Sequence, residues 1–283
     1  PVGERAIPFE AKRLNGMRAY FEWMPYGNAP RGSGRIEAKR LYQRVRLGRT
    51  AELFLLDTRK YRDPQPCEDS TFESGPCPDD ASPQPRERLG PEQKEWLKRG
   101  LVDSQADWKI LGNAQMMMAL DIAPGQPVSH DAWDGYAVER REVLEHARAQ
   151  GVRNLTSVVG DVHVFFAGEL RTDGRTTGQP LGTEFVGTSV SHDALALPGL
   201  TEEESATLTN QIKLANPHLS YANFRHRGYA VMEARPAGLT VDFRRVSTVL
   251  EPEAAIDTLA SFEVASGSPR LVQTLGSRTN MAV

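Results

Sequence analysis

Only two cysteines occur in this chain of 283 residues, Cys67 and Cys77, and no other Cys or His lies near them in sequence. A metal site built on neighbouring cysteines is thereby disfavoured. Two cysteines with a short spacer, in a stretch rich in Pro, Ser, Asp and Glu, read best as a disulfide that staples an exposed loop. That reading implies an oxidising compartment. Two free thiols and half of a metal site are the alternatives. No apolar run approaches the roughly 18 residues of a membrane span. Charge of one sign is lacking as well: the formal net charge is -3 with 25% charged residues, so nothing global draws the chain to nucleic acid or a membrane surface. The basic clusters from Arg31 to Arg49 and from Arg225 to Arg227 read as solvated surface, with a phosphate-facing role as the alternative. No glycine loop of the Walker or dinucleotide kind is present, nor a Gly-x-Ser-x-Gly elbow. Ser191-His192-Asp193 has the letters of a triad, but adjacent residues cannot orient one another as nucleophile, base and orienter.

The length suits one large or two modest domains. The chain starts at Pro1 and shows no basic-then-apolar leader, so a processed or truncated upstream end is expected. Leu14, Met17, Phe21 and Met24 recur at helical spacing and predict an amphipathic helix over 10–24, ended by Pro25. Leu41 to Leu47 alternates as a half-buried strand, and Ala51 to Leu56 is a more uniformly apolar, central one. Asp57, Arg59 and Arg62 follow it as a structural ion-pair cluster or as orienters of site loops. Residues 63–90 form a long irregular loop, of a kind uncommon unless functional or stapled. Pro91 then opens a helix with acids in its first turn. Trp108 to Gly112 is a strand, and Met116, Met117 and Met118 read as irregular packing. A helix covers Val138 to Gln150, and a strand leads to Asp161, with Val164 to Leu170 as its hairpin partner. Beyond a strand-like run from Thr183 and an acidic-start helix over Glu202 to Leu214, strands at 221–224, 229–234 and 239–246 read as sequential and antiparallel. Alternating helices and strands place the chain in the α/β class.

The run Asn154 to His163 carries the most chemistry. A β-branched apolar stretch ends at Gly160, and Asp161 and His163 follow two residues apart. On an extended strand such residues share a side, so one carboxylate and one imidazole would face the same cation. Polar ligands at the C-terminal edge of a buried strand are where open α/β sheets place sites. His218 reads as a satisfied loop histidine.

Several short runs occur in a telling order. They are Leu53 to Arg62, the Cys loop, Leu89 to Leu97, Trp108 to Gly112, Trp133-Asp-Gly-Tyr136 and Gly160-Asp-Val-His163. Glu184 to Ser189, Asn216-Pro-His218 and Arg227-Gly-Tyr229 complete the series. The order resembles the alkaline phosphatase D family, a branch of the metallophosphoesterases that includes a Streptomyces-type phospholipase D. The resemblance implies a sandwich of two mixed β-sheets flanked by helices. It implies hydrolysis of phosphate mono- or diesters with iron and calcium, by an enzyme secreted from a bacterium or held in its periplasm. Asp161 and His163 match the family's metal ligands, and Trp133, Asp134, Asn216 and His218 match motifs that support the site or bind substrate. Further family ligands belong to an earlier half: a Cys, an Asp with a nearby Tyr, and an Asn close to an Asp-Asp-His-Glu run. None occurs here, so residues 1–283 are expected to be the C-terminal portion of one such domain, active only with an upstream N-terminal segment of the same enzyme. An inactive fragment or binding module that retains the fold is the alternative.

Overall fold

The computed structural model describes residues 8–24, 40–66, 86–190 and 199–275. Cys67 and Cys77, with their expected disulfide, and Ser191-His192-Asp193 lie outside these residues. Two compact units divide the chain, Pro1–Leu41 and Tyr42–Val283. The first contains the helix α1 (Phe9–Trp23), whose exposed ladder pairs Arg13 with Glu10 at 2.9 Å and Arg18 with Glu22 at 2.8 Å.

The second unit holds the remaining elements. In chain order they are β1 (Gln43–Leu47), β2 (Ala51–Leu55), α2 (Gly90–Asp103), β3 (Trp108–Gly112), β4 (Asp121–Ala123) and β5 (Gln126–Pro127). A 3-10 turn (Trp133–Tyr136) leads into α3 (Ala137–Ala149), followed by β6 (Leu155–Val159), β7 (Phe165–Arg171), β8 (Pro180–Val186) and α4 (Glu202–Ala215). The chain continues with β9 (Leu219–Asn223), β10 (Arg227–Arg235), β11 (Gly238–Val246), β12 (Ile256–Ala265) and β13 (Val272–Leu275). Local chemistry explains the helices. Pro91 in the first turn of α2 forgoes a donor that no helix satisfies there. α4 opens with a capping box, Thr201 Oγ1 accepting from Glu204 N at 3.2 Å and Glu204 Oε2 accepting from Thr201 N at 2.9 Å.

Seven strands form the main sheet in the order β1-β2-β3-β6-β8-β7-β9, and β10 to β13 form an antiparallel four-stranded sheet. Period-2 alternation splits the main sheet's side chains between two cores. Along β7, Phe165 and Ala167 face the small sheet, where Phe165 stacks on Phe243 at 4.6 Å and Phe262 and Val264 close the layer. Phe166 and Leu170, on the other side, join Leu97 of α2, Leu144 of α3 and Ile212 of α4. Met116, Met117 and Met118 are buried in this helix-side core. The second unit is therefore two packed sheets with helices on the outer face of the larger, plus the small β4–β5 ribbon.

Two expectations about pairing are corrected. β7 is not the hairpin partner of β6: β6 pairs in parallel with β3 and β8, while β7 crosses over to lie between β8 and β9. The strand at 221–224 belongs to the main sheet and does not start an antiparallel run with β10 and β11. Among the described residues, no helix is long and apolar enough to cross a membrane.

Candidate functional site

β2, β3, β6 and β8 run parallel, so their C-terminal ends share one edge of the main sheet. That edge receives Asp57 two residues after β2, Asn113 directly after β3, and Asp161 two residues after β6. Ladder bonds continue past the strand ends: Leu56 N donates to Gly112 O and Asn113 N donates to Val158 O, both at 3.0 Å. The loops thus leave the sheet in register.

The chain does not stay extended through His163. β6 stops at Val159, Val162 N donates to Gly160 O at 2.8 Å, and Asp161 and His163 take φ of 71° and 59°. A tight bend, and not strand alternation, presents the two side chains. A left-handed conformation costs a residue with a Cβ about 1–2 kcal/mol, and such strain concentrates at functional sites. Burial lifts the Asp161 carboxyl above its usual range, Arg59 opposes that rise, the Asp131 charge adds to it, and the His163 imidazole opposes it.

Beside this bend stands a cluster of arginines held by one carboxylate. Arg59 donates to both oxygens of Asp131, and Arg62 donates to Oδ1. Burial works to raise Asp131, but the hydrogen bonds from the two arginines outweigh it and hold the carboxyl below its usual range. Asp57 fixes the start of the arginine loop by accepting from Arg59 N at 3.1 Å and Lys60 N at 2.9 Å. Arg88 lies beneath, with its guanidinium 5.6 Å from the Trp133 ring centroid and 5.0 Å from that of Tyr136. It donates to Gln115 Oε1 and to the Asp131 carbonyl, and burial pushes its pKa down to about 10. Gln115 Oε1 also accepts from Thr58 Oγ1 at 2.7 Å, so the loops after β2 and β3 share one buried acceptor.

A model of the PhoD-like phosphatase family matches residues 3–243. The chain belongs to that family. It is 33% identical over 266 residues to alkaline phosphatase D of Bacillus subtilis (strain 168), covering 92% of this chain and 43% of that protein. A solved structure of PhoD matches with a TM-score of 0.80 at 29% identity, over 100% of this chain and 53% of that one. The chain spans about half the length of the relatives it matches.

The other residues singled out in this PhoD-like chain fall into two places. Trp133 is fully buried and reaches the strand edge, its Nε1 donating to Asn113 Oδ1 at 3.3 Å. Asp134, Asn216 and His218 instead hold the backbone of residues 119–121. Asp134 Oδ2 accepts from Leu120 N at 3.0 Å, and its Oδ1 from Arg140 at 2.9 Å. Asn216 Oδ1 accepts from Asp121 N and its Nδ2 donates to Asp121 O, both at 2.8 Å. His218 Nε2 lies 2.8 Å from Ala119 O; the carbonyl only accepts, so Nε2 carries the proton, and burial pulls this imidazole below its usual pKa. These three act as a buttress for the segment entering β4. The sequence reading missed Asn113, Arg88, Gln115 and Asp131. A polar amide directly after the apolar β3 was the available signal for Asn113.

Proposed function

We propose that residues 1–283 are the C-terminal portion of a single metallophosphoesterase-type domain that hydrolyses phosphate mono- or diesters once an upstream segment of the same enzyme is present. The observation that carries this reading is the Asp161-Val162-His163 bend at the end of a parallel strand in a chain of the PhoD-like phosphatase family. The partial coverage of both relatives supports the upstream segment. The relative is bacterial, and a secreted or periplasmic setting is part of the same proposal.

The donor pair fits a metal. Carboxylate and imidazole both suit iron, and carboxylate suits calcium. A cation beside Asp161 would also oppose the rise that burial imposes on its carboxyl. Among the described residues no third His, Cys, Asp or Glu joins the pair, and the remaining ligands are proposed to come from the upstream segment. Asp161 would hold a cation through its carboxylate and His163 through a neutral ring nitrogen. The chemistry that iron and calcium supply there is neutralisation of phosphate charge and activation of a water. Asp131, Arg59 and Arg62 keep the loop after β2 fixed beside the phosphate ester.

The test uses the full-length enzyme with Asp161→Asn and His163→Ala. Iron and calcium content is read by elemental analysis, and turnover with p-nitrophenyl phosphate and bis(p-nitrophenyl) phosphate. Metal content and turnover are expected to fall together, turnover by about 100-fold or more. Turnover unchanged in both variants overturns the assignment. The second reading, a binding module that keeps the fold without the chemistry, draws on the pair having no third donor among the described residues. A full-length enzyme that holds neither metal and cleaves neither ester would establish it.

A further inference from the structure

Val159, Val186, Phe166 and Ala222 form one register row across β6, β8, β7 and β9. The end of β9 therefore lies on the same edge as Asp161, three strand spacings away, or about 14 Å. A cleft of about 400 Å³ opens there, between the β9–β10 connection and the end of β11. Arg225, His226, Arg227 and Arg245 line it, with Ser247 and Thr248 on one wall and Asp257 as the acidic residue of the lining.

The cationic groups are held in place before any ligand arrives. Arg227 is buried and donates Nη1 to the carbonyls of Phe224, at 3.4 Å, and His226, at 2.9 Å. Arg225 is fixed by Leu200 O at 3.1 Å and Glu202 at 3.0 Å. Arg245 forks onto Asp257 at 2.6 and 3.0 Å and turns Nη1 toward His226 Nε2 at 3.1 Å. A guanidinium cannot accept, so His226 Nε2 accepts, and the ring proton sits on Nδ1, facing Asn223 Oδ1 at 3.2 Å. His226 is thus neutral, with the Arg245 guanidinium against its Nε2.

The carboxylates do not cancel this charge. Glu202 and Asp257 are 86% and 59% exposed, against 39% for each arginine partner. Solvated pairs of that kind are worth about 1 kcal/mol or less, so they orient the guanidinium groups without compensating their charge strongly. His226 registers the balance: burial first, then Arg245 and Arg225, depress its pKa, and the opposing effects of Glu202 and Asp257 rank below them.

We propose that this cleft is a binding site for a phosphate-class anion, separate from Asp161. Arg225 and Arg245 would face the anion's oxygens, with Arg227 supplying charge from beneath and Ser247 and Thr248 hydroxyl donors at the wall.

The experiment is titration calorimetry with inorganic pyrophosphate on full-length enzyme carrying Asp161→Asn, in buffer with chelator, so that binding at a metal centre does not contribute. Binding is expected to persist in that variant and to weaken tenfold or more when Arg245→Gln is added. Arg225→Gln provides the same reading if the Arg245 variant fails to fold. Absence of binding in Asp161→Asn, or affinities within twofold in both arginine variants, overturns the site. With Asp161 intact, a raised KM in Arg245→Gln for an ester bearing a second phosphate places the anion on the substrate. An unchanged KM together with lost pyrophosphate binding makes it a site for a free anion.

Discussion

Arg59 holds Asp131 with both ends of its guanidinium, Nη1 to Oδ1 at 2.5 Å and Nη2 to Oδ2 at 2.7 Å, across 72 positions of sequence. Arg62 adds a third donor to the same carboxylate. Removing that carboxylate leaves two cations facing each other beside the strand edge. Asp131→Ala is expected to lower stability by about 1 kcal/mol, because Arg59 is half exposed and solvent screens the pair. Asp131→Asn, which keeps an acceptor, should lose less. Urea midpoints for the two variants check this order. The wild-type contribution should disappear in acid, as pH falls through the depressed Asp131 pKa.

Glu139 carries a second prediction, with the opposite sign. It is buried and accepts from the backbone amides of Arg88 and Leu89, and burial pushes its pKa up to about 7. A carboxyl whose folded pKa is raised is easier to protonate in the fold than in the unfolded chain. Its effect on stability is therefore neutral below the ordinary carboxylate range. It becomes unfavourable as pH rises toward 7 and levels off above, by at most about 3 kcal/mol. Glu139→Gln keeps an acceptor and removes the titration. Urea unfolding from pH 5 to pH 8 should show wild type losing ground to Glu139→Gln across that interval; parallel curves would refute the assignment.

Glu184 is fully buried in β8 and gathers three donors: Met117 N at 3.0 Å, Met118 N at 2.6 Å and Ser157 Oγ at 2.8 Å. Truncation strands all three in a dry core. Glu184→Ala should cost about 3 kcal/mol or more, and Glu184→Gln clearly less. Denaturant midpoints decide it, and a loss below about 0.5 kcal/mol for the alanine variant would mean the donors find other acceptors.

Gly182 faces Leu155 in the parallel pairing of β8 with β6, and a Cβ there would sit 2.1 Å from Leu155 O. Backbone cannot yield as a flexible side chain does. Gly182→Ala should therefore spread the β6–β8 ladder and lower stability by about 3 kcal/mol. A melting temperature equal to wild type would contradict the stated register.

Helices and central strands were legible because their signals are local. Pro91 and the acid-rich start of α4 mark helix beginnings, and the apolar runs of β2 and β3 are dense enough to read alone. β12 is not legible in sequence because Asp257, Ser261 and Glu263 break its run, although Ala260, Phe262 and Val264 alternate inward. The sequence suggests a β6–β7 hairpin because adjacency in sequence is the default, whereas the actual partners of β7, β8 and β9, lie farther along the chain. Residue type and strand end single out Asp161 and His163 as candidate ligands, but no pattern of polarity encodes their left-handed backbone. The link from Arg59 to Asp131 is likewise a product of the fold, since nothing within either segment names the other.

The bend at Asp161 and His163 sets two demands against each other. Glycine would adopt φ near 60° without the penalty that a Cβ incurs. A glycine at either position would make the turn easier to fold and at the same time erase a side chain. Variants selected for heat resistance alone should therefore drift toward glycine or asparagine here, whereas, on the proposed ligand role, selection that also scores phosphate release by the full-length enzyme should hold both positions. Enriching a library both ways would show whether this turn trades durability for chemistry.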